Sequence, residues 1–297
     1  MVIWTIKSVL QWTTEYFTRL GLESPRVDAE ILLAKALNCN RVKLYIDQDK
    51  PLSQLELNTM HQLVERRGTY EPVAYILGTK GFMQDDFLVT PAVLIPRPET
   101  ELLVEELGHL FKDEPCEFLD IGTGSGAIAL SLLRLLPQAH AKAVDISSDA
   151  LQVATANAKN LGLADRVKFV KADVYSGLDS QRFDLIVSNP PYIPDDVIPT
   201  LAKDVQREPR LALAGGSDGL DFYRRIVKDG ALHLSQDGVL ALEMGIGQSK
   251  DVAEFCHQHG YTVTAILKDY AGIDRHLFAT TADSKYADKI LAINNRK

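Results

Sequence analysis

Glu117-Phe118-Leu119-Asp120-Ile121-Gly122-Thr123-Gly124-Ser125-Gly126-Ala127-Ile128-Ala129-Leu130 decides the fold of this chain. A short apolar run leads into three alternating glycines and then into a helical pattern. This predicts strand, tight turn and helix, with the strand over 117–121 and the helix over 126–136. Glycine admits positive φ and lets a ligand approach the backbone without a Cβ in the way. The free N–H groups of the following helix start aim at the same spot. Gly122, Gly124 and Ala127 also satisfy G-x-G-x-x-A, so a dinucleotide is an alternative ligand for this turn. A purely structural turn is the third reading.

Outward from this stretch the chain alternates strand and helix. Strands are predicted over 141–146, 167–171, 183–188, 238–243, 262–267 and 277–280. Helices are predicted over 99–111, 149–161, 220–234 and 249–257. Such alternation implies an α/β fold with a doubly wound, Rossmann-like parallel sheet. Upstream the pattern is helical. Ile3, Ile6, Val9, Leu10, Tyr16, Phe17 and Leu20 recur at helical spacing and Gly21 stops the run. A second helix opens at Pro25, and a third follows Ser53 and ends at Gly68. Lys80–Met83 and Phe87–Val89 flank Gln84-Asp85-Asp86, a hairpin connector. The expected division is a helical bundle over 1–75, a hairpin linker over 76–96, a sheet domain over 97–283 and a tail over 284–297, a short helix or a loose end.

A second stretch carries the chemistry. Phe183-Asp184-Leu185-Ile186-Val187-Ser188 reads as a buried strand, and Asn189-Pro190-Pro191-Tyr192 comes directly after it. Ligands of open α/β sheets bind beyond the carboxyl ends of the strands, where Asn189 would stand. The Asn189 side-chain oxygen and the Pro190 carbonyl can each accept one N–H of a planar NH₂ group. Proline has no N–H of its own and a locked φ, which keeps those acceptors still. The Tyr192 ring can stack on a flat group and lie near a cationic sulfonium. These features point to methyl transfer onto a planar nitrogen, with orientation as the main catalytic device. A proline-rich loop that merely ends a strand is the bland alternative. Asp145, at the end of the second strand, suits the two hydroxyls of a ribose. Asp173, at the end of the third, could sit beside an adenine or serve as a turn residue.

The bulk numbers agree with a globular protein. Of 297 residues 46% are hydrophobic and 24% charged, and no apolar run is long enough for a transmembrane helix. The N-terminus lacks a secretory or mitochondrial pattern, so the expected location is the cytoplasm. Cys39, Cys116 and Cys256 are odd in number and form no CxxC pair, and His257 and His259 read as solvated, so no metal site is expected. Net charge is −8, and residues 1–78 hold nine charges of each sign. No basic stripe marks a nucleic-acid partner.

With these residues in view, the chain resembles the protein-(glutamine-N5) methyltransferases of peptide chain release factors, the HemK/PrmC type. Ile95-Pro96-Arg97-Pro98-Glu99-Thr100-Glu101, Asp120–Leu130, Asp145, Val187–Ile193, Glu208-Pro209 and Leu213-Ala214-Gly215-Gly216 carry the resemblance. It implies a class I S-adenosylmethionine-dependent methyltransferase with a seven-stranded sheet whose last strand is antiparallel. It implies an N-terminal helical domain that helps hold the release factor, and a glutamine in a Gly-Gly-Gln loop as substrate. By the same resemblance Gly122, Thr123, Gly124, Ser125, Gly126, Asp145, Asp173, Val174 and Asn189 would contact S-adenosylmethionine. Asn189, Pro190, Pro191 and Tyr192 would hold the glutamine amide. Arg97, Glu99 and Glu208 would shape the substrate mouth, with a structural ion-pair set as the alternative. Val174 stands where the family often carries an aromatic beside the adenine. The tail after Ala282 has no counterpart in the family. Asn-Pro-Pro-Tyr also occurs in N6-adenine DNA methyltransferases, which would flip a base into the same pocket. The neutral helical segment and the acidic total argue against that alternative. A binding module without activity would have no use for the tetrapeptide, and a dehydrogenase would need a hydride-transfer acid or base that has no visible place.

Overall fold

Phe118 and Leu119 point to opposite faces of one strand, as do Leu185 and Ile186 of another, and each face is buried under its own apolar layer. That is why these strands read as continuous apolar runs: a parallel sheet covered by helices has no wet face. The computed structural model describes residues 3–112, 114–178 and 181–294, so the first two residues and the last three of the tail lie outside the description.

The chain divides into two compact units, 1–79 with 203–207, and 80–202 with 208–297. The first holds α1 (Ile6–Arg19), α2 (Pro25–Ala36), α3 (Arg41–Ile46), α4 (Gln54–Gly68) and α5 (Val73–Leu77). Thr5 and Ser53 each close a capping box at the starts of α1 and α4. Phe17, Leu32, Leu33 and Leu44 are fully buried in its core. The periodicity anticipated α1, α2 and α4. It missed α3 and α5, which at 6 and 5 residues are too short to show a period. The segment 203–207 joins this unit through Asp204, which pairs with the buried Arg67 at 3.1 Å, while Arg67 also grips Asp28 at 2.8 Å.

A hairpin of β1 (Thr79–Phe82) and β2 (Asp85–Leu88) opens the sheet unit. Its connector is Met83-Gln84 rather than the expected Gln84-Asp85-Asp86. Met83 supplies the left-handed φ of 54° that a two-residue turn needs, and Asp85 is held by Arg134 at 2.7 Å. Next come α6 (Pro98–Leu110), β3 (Glu117–Ile121), α7 (Ala127–Leu135), β4 (His140–Asp145), α8 (Ser148–Asn160), β5 (Val167–Lys171) and β6 (Phe183–Ser188). The unit closes with α9 (Asp221–His233), β7 (Leu234–Glu243), α10 (Ser249–Gln258), β8 (Val263–Lys268), β9 (Asp274–Thr280) and α11 (Ala287–Ile293).

The strand order is β5-β4-β3-β6-β7-β9-β8. β3 to β7 run parallel, and β9 is antiparallel to both of its neighbours. From β3 the chain winds outward to β5, then returns to place β6 on the other side of β3. The carboxyl ends of β3 and β6 therefore flank the switch point, where ligands of such sheets bind. The tail forms a helix: Tyr286, Ile290 and Ile293 are buried in the same layer as Phe111 and Phe118.

Candidate active site

Ile121 and Ser188 are register partners at the ends of β3 and β6, and the Ser188 hydroxyl donates to the Ile121 carbonyl at 2.7 Å. The glycine turn after Ile121 and the Asn189 after Ser188 are thereby held side by side. Between them opens a cleft of ≈ 230 Å³, walled mostly by apolar atoms.

Gly122 and Thr123 both donate their N–H to the Val144 carbonyl, at 2.9 and 3.0 Å, which fastens the turn to β4. Gly124 donates to Asp145 Oδ2 at 2.9 Å, and Ser147 donates to Oδ1 of the same carboxylate at 2.9 Å. Gly122, Gly124 and Gly126 have φ of 71°, 56° and 82°. A Cβ on Gly122 would meet no atom within 4 Å, whereas one on Gly126 would press on Leu130 at 3.1 Å and Ala154 at 3.3 Å. Gly122 and Gly124 line the cleft, and Gly126 serves helix packing. Thr123 and Ser125 are buried away from it. Thr123 donates its hydroxyl to Asp120 at 2.7 Å, and the Ser125 carbonyl accepts from Asn157 at 2.9 Å. Asp120 is fully buried, with no hydrogen-bond partner for Oδ1 among the described residues, and burial pushes its carboxyl up to about 7. Burial likewise raises the Asp145 carboxyl above its ordinary range, against the backbone N–H groups that lower it.

Asp145, Asp173 and Val174 all line the cleft. Asp173 lies two residues beyond β5 and is paired with Arg225 at 2.7 Å. Val174 is buried at φ 56°, a strained conformation for a β-branched residue. The facing wall comes from α9, whose Phe222, Arg225 and Ile226 share one helix face. Sequence reasoning missed this wall. Its only signal was helical spacing, which any buried helix shows.

Asn189, Pro190 and Pro191 line the cleft, and Pro190 is buried. Asn189 Nδ2 donates to Thr100 Oγ1 at 3.2 Å, and the Thr100 hydroxyl donates to Glu243 Oε2 at 2.5 Å. Tyr192 lies outside the cleft lining and packs against the α9 layer. Its phenol is pushed up to about 12, chiefly by burial and next by Glu243, so it stays neutral at physiological pH. Ile193 pairs in parallel with Ala214. Close approach there depends on Gly215, whose Cβ would stand 2.8 Å from both the Pro191 oxygen and the Tyr192 Cα. Gln248 completes the clamp: its Nε2 donates to the Tyr192 carbonyl at 3.0 Å and to the Gly219 carbonyl at 3.2 Å.

Arg97, Glu99 and Glu208 stand outside the lining of the cleft. Arg97 pairs with the buried Glu208 at 2.6 Å, and Glu208 also accepts the Ile95 N–H at 3.0 Å. This pair steadies the chain on either side of the cleft, where Val93, Leu94 and Pro209 form the wall. Glu99 is exposed.

Residues 8–78 match the family described as the PrmC N-terminal domain, and residues 98–245 match the methyltransferase small domain. The chain is 46% identical over 274 residues to a release factor glutamine methyltransferase of Geobacter sulfurreducens, an alignment covering 92% of this chain and 95% of the relative. It is 43% identical over 279 residues to the release factor glutamine methyltransferase of Moorella thermoacetica, covering 93% and 98%. Among solved structures, a methyltransferase from Pyrococcus furiosus superposes with a TM-score of 0.51 at 21% identity, over 66% of this chain and 89% of that one. The hMettl16 catalytic domain gives 0.56 at 18% identity, over 66% and 76%. These two likenesses concern the fold, which is that of the class I S-adenosylmethionine-dependent methyltransferases.

Proposed function

The chain belongs to the family of release factor glutamine methyltransferases, and on that premise we propose that its cleft transfers a methyl group to the side-chain amide nitrogen of a glutamine in the Gly-Gly-Gln loop of a release factor. The observation that carries the reading is the meeting of two halves at the switch point. One is the glycine turn with Asp145, and the other is Asn189-Pro190-Pro191.

S-adenosylmethionine is the methyl donor, and when bound it supplies an electrophilic methyl on a sulfonium. The residues present fit it. Gly122 offers open space where any side chain would intrude, Asp145 places a carboxylate where a ribose needs acceptors, and the Val174–Ile226 side offers an apolar wall for a base. An amide nitrogen is a poor nucleophile because its lone pair is delocalised into the carbonyl. The Asn189 Oδ1 and Pro190 carbonyl would each accept one amide N–H, orient the nitrogen and favour a more localised lone pair. The Pro190 carbonyl does not have to move, since Pro190 and Pro191 fix the backbone. Tyr192, neutral and packed, gives the loop a rigid end.

The helical unit is assigned to recognition of the release factor, supported by the match of residues 8–78. A partner in translation places the work in the cytoplasm. The near-neutral charge of this unit, nine of each sign over 1–78, favours a protein over a nucleic-acid partner.

Incubation with methyl-labelled S-adenosylmethionine tests the reading, with an unmodified release factor and unmethylated DNA in separate reactions. Label on the loop glutamine, located by peptide mass spectrometry, is the expected result. Label on DNA alone would restore the adenine alternative.

A further inference from the structure

We infer that Thr100 and Glu243 are positioning residues that set which end of the Asn189 side-chain amide faces the substrate. The inference rests on the proposed glutamine methylation, in which Asn189 must present oxygen, an acceptor, to the glutamine NH₂. An asparagine amide has nearly the same shape whether flipped or not, so nothing steric prevents it from offering its own NH₂ to the cleft. A donor aimed at a donor would repel the substrate nitrogen.

The chain of hydrogen bonds removes that ambiguity. Glu243 ends β7 and is 1% exposed. A carboxylate oxygen only accepts, so at 2.5 Å the proton between Thr100 Oγ1 and Glu243 Oε2 belongs to threonine. With its proton committed, Thr100 Oγ1 can only accept from its other neighbour. That neighbour is the Asn189 amide at 3.2 Å, which must therefore turn Nδ2 inward and Oδ1 outward. Glu243 is itself placed by β9: His276 is its register partner and is fully buried, with Nε2 3.8 Å from Glu243 Oε2. The Tyr223 hydroxyl holds the Glu243 backbone carbonyl at 3.0 Å.

Thr100 has no other evident duty. α6 buries Leu103, Val104 and Leu107, which lie three, four and seven residues beyond Thr100. A polar residue thus occupies an apolar-stripe position, 4% exposed, and spends its hydroxyl on this relay.

The test compares Thr100→Val, which keeps the shape and loses the hydroxyl, with Thr100→Ser, which keeps the hydroxyl. For Thr100→Val, kcat on release factor at saturating S-adenosylmethionine is expected to fall by about tenfold or more. KM for release factor and the calorimetric affinity for S-adenosylmethionine should stay within about threefold, and Thr100→Ser should recover most of the loss. In the same samples the side-chain amide resonances of Asn189 report the bond without any turnover, assigned by their absence from Asn189→Asp. One amide proton should be slow to exchange in the wild type and Thr100→Ser, and fast in Thr100→Val. Wild-type kcat in Thr100→Val, or amide exchange indifferent to the hydroxyl, would overturn the relay. A wild-type enzyme inactive on release factor would sink the functional reading instead, and the amide exchange would still decide the relay. Should Thr100→Val fail to fold, Thr100→Ala serves the same comparison.

Discussion

At the scale of single residues, two carboxylates at the glycine turn have different tasks. Asp145 braces the turn through Gly124 and Ser147 and is also one of the residues that line the cleft. Asp145→Ala should raise the Kd for S-adenosylmethionine by about tenfold or more, read by calorimetry. An unchanged Kd in a folded variant would leave it a brace only. Asp120 has no access to the cleft and acts on stability. Its carboxyl sits at about 7 in the folded protein, against about 3.9 in an unfolded chain. Between those values the folded state holds a proton that the unfolded state has lost. This residue's contribution therefore falls as pH rises from about 4 to about 7, and its full cost, on the order of 4 kcal/mol, is present above 7. Asp120→Asn should remove that slope, so urea unfolding should show the variant gaining on the wild type as pH rises from 4 to 8. Parallel pH profiles would show the burial cost to be relieved in some other way.

At the scale of elements, the tetrapeptide depends on a second loop pressed against it. The 213–219 loop approaches because Gly215 has no Cβ; an added one would stand 2.8 Å from two backbone atoms, neither of which can swing aside. Gly215→Ala should push Pro191 and Tyr192 by several tenths of an ångström, and turnover should fall by about tenfold or more while S-adenosylmethionine affinity holds. Steady-state kinetics beside calorimetry would show this split, and a kcat equal to wild type would mean that the loop is free to retreat. The presence and type of the sheet elements were legible for a simple reason. Strands buried on both faces are runs of apolar residues, and glycine turns follow from a conformational preference of one residue. The cleft wall from α9 was not legible, because the face a helix turns to a ligand has the same period as one turned to a core.

At the scale of the molecule, the helical unit is built from two distant parts of the chain. Arg67, 4% exposed at its side chain, pairs with Asp28 on α2 and with Asp204, which lies 137 residues further along. Burial raises the Asp28 carboxyl even with Arg67 beside it. Arg67→Met would leave that carboxylate buried and unpaired, at a cost of about 3–5 kcal/mol. Because Asp28 can then escape by taking up a proton, the loss should be larger at pH 8 than at pH 5. Thermal unfolding at both values measures it; equal stability to wild type would show that water reaches the carboxylate.

Local sequence was enough for the α/β alternation, the seven-strand count and the glycine turn. Each of these is written in a window of a few residues, through periodicity, proline and glycine constraints, and short-range hydrogen bonding. It took the folded chain to place Thr100, 89 residues before Asn189, and Glu243, 143 residues after Thr100, behind the amide. That meeting requires β6 to lie against β7 and the start of α6 to reach the end of β7. A threonine on an apolar stripe and a glutamate ending an apolar strand were visible in the chain. Their partnership was not, because the strand order that brings them together is a property of the whole fold.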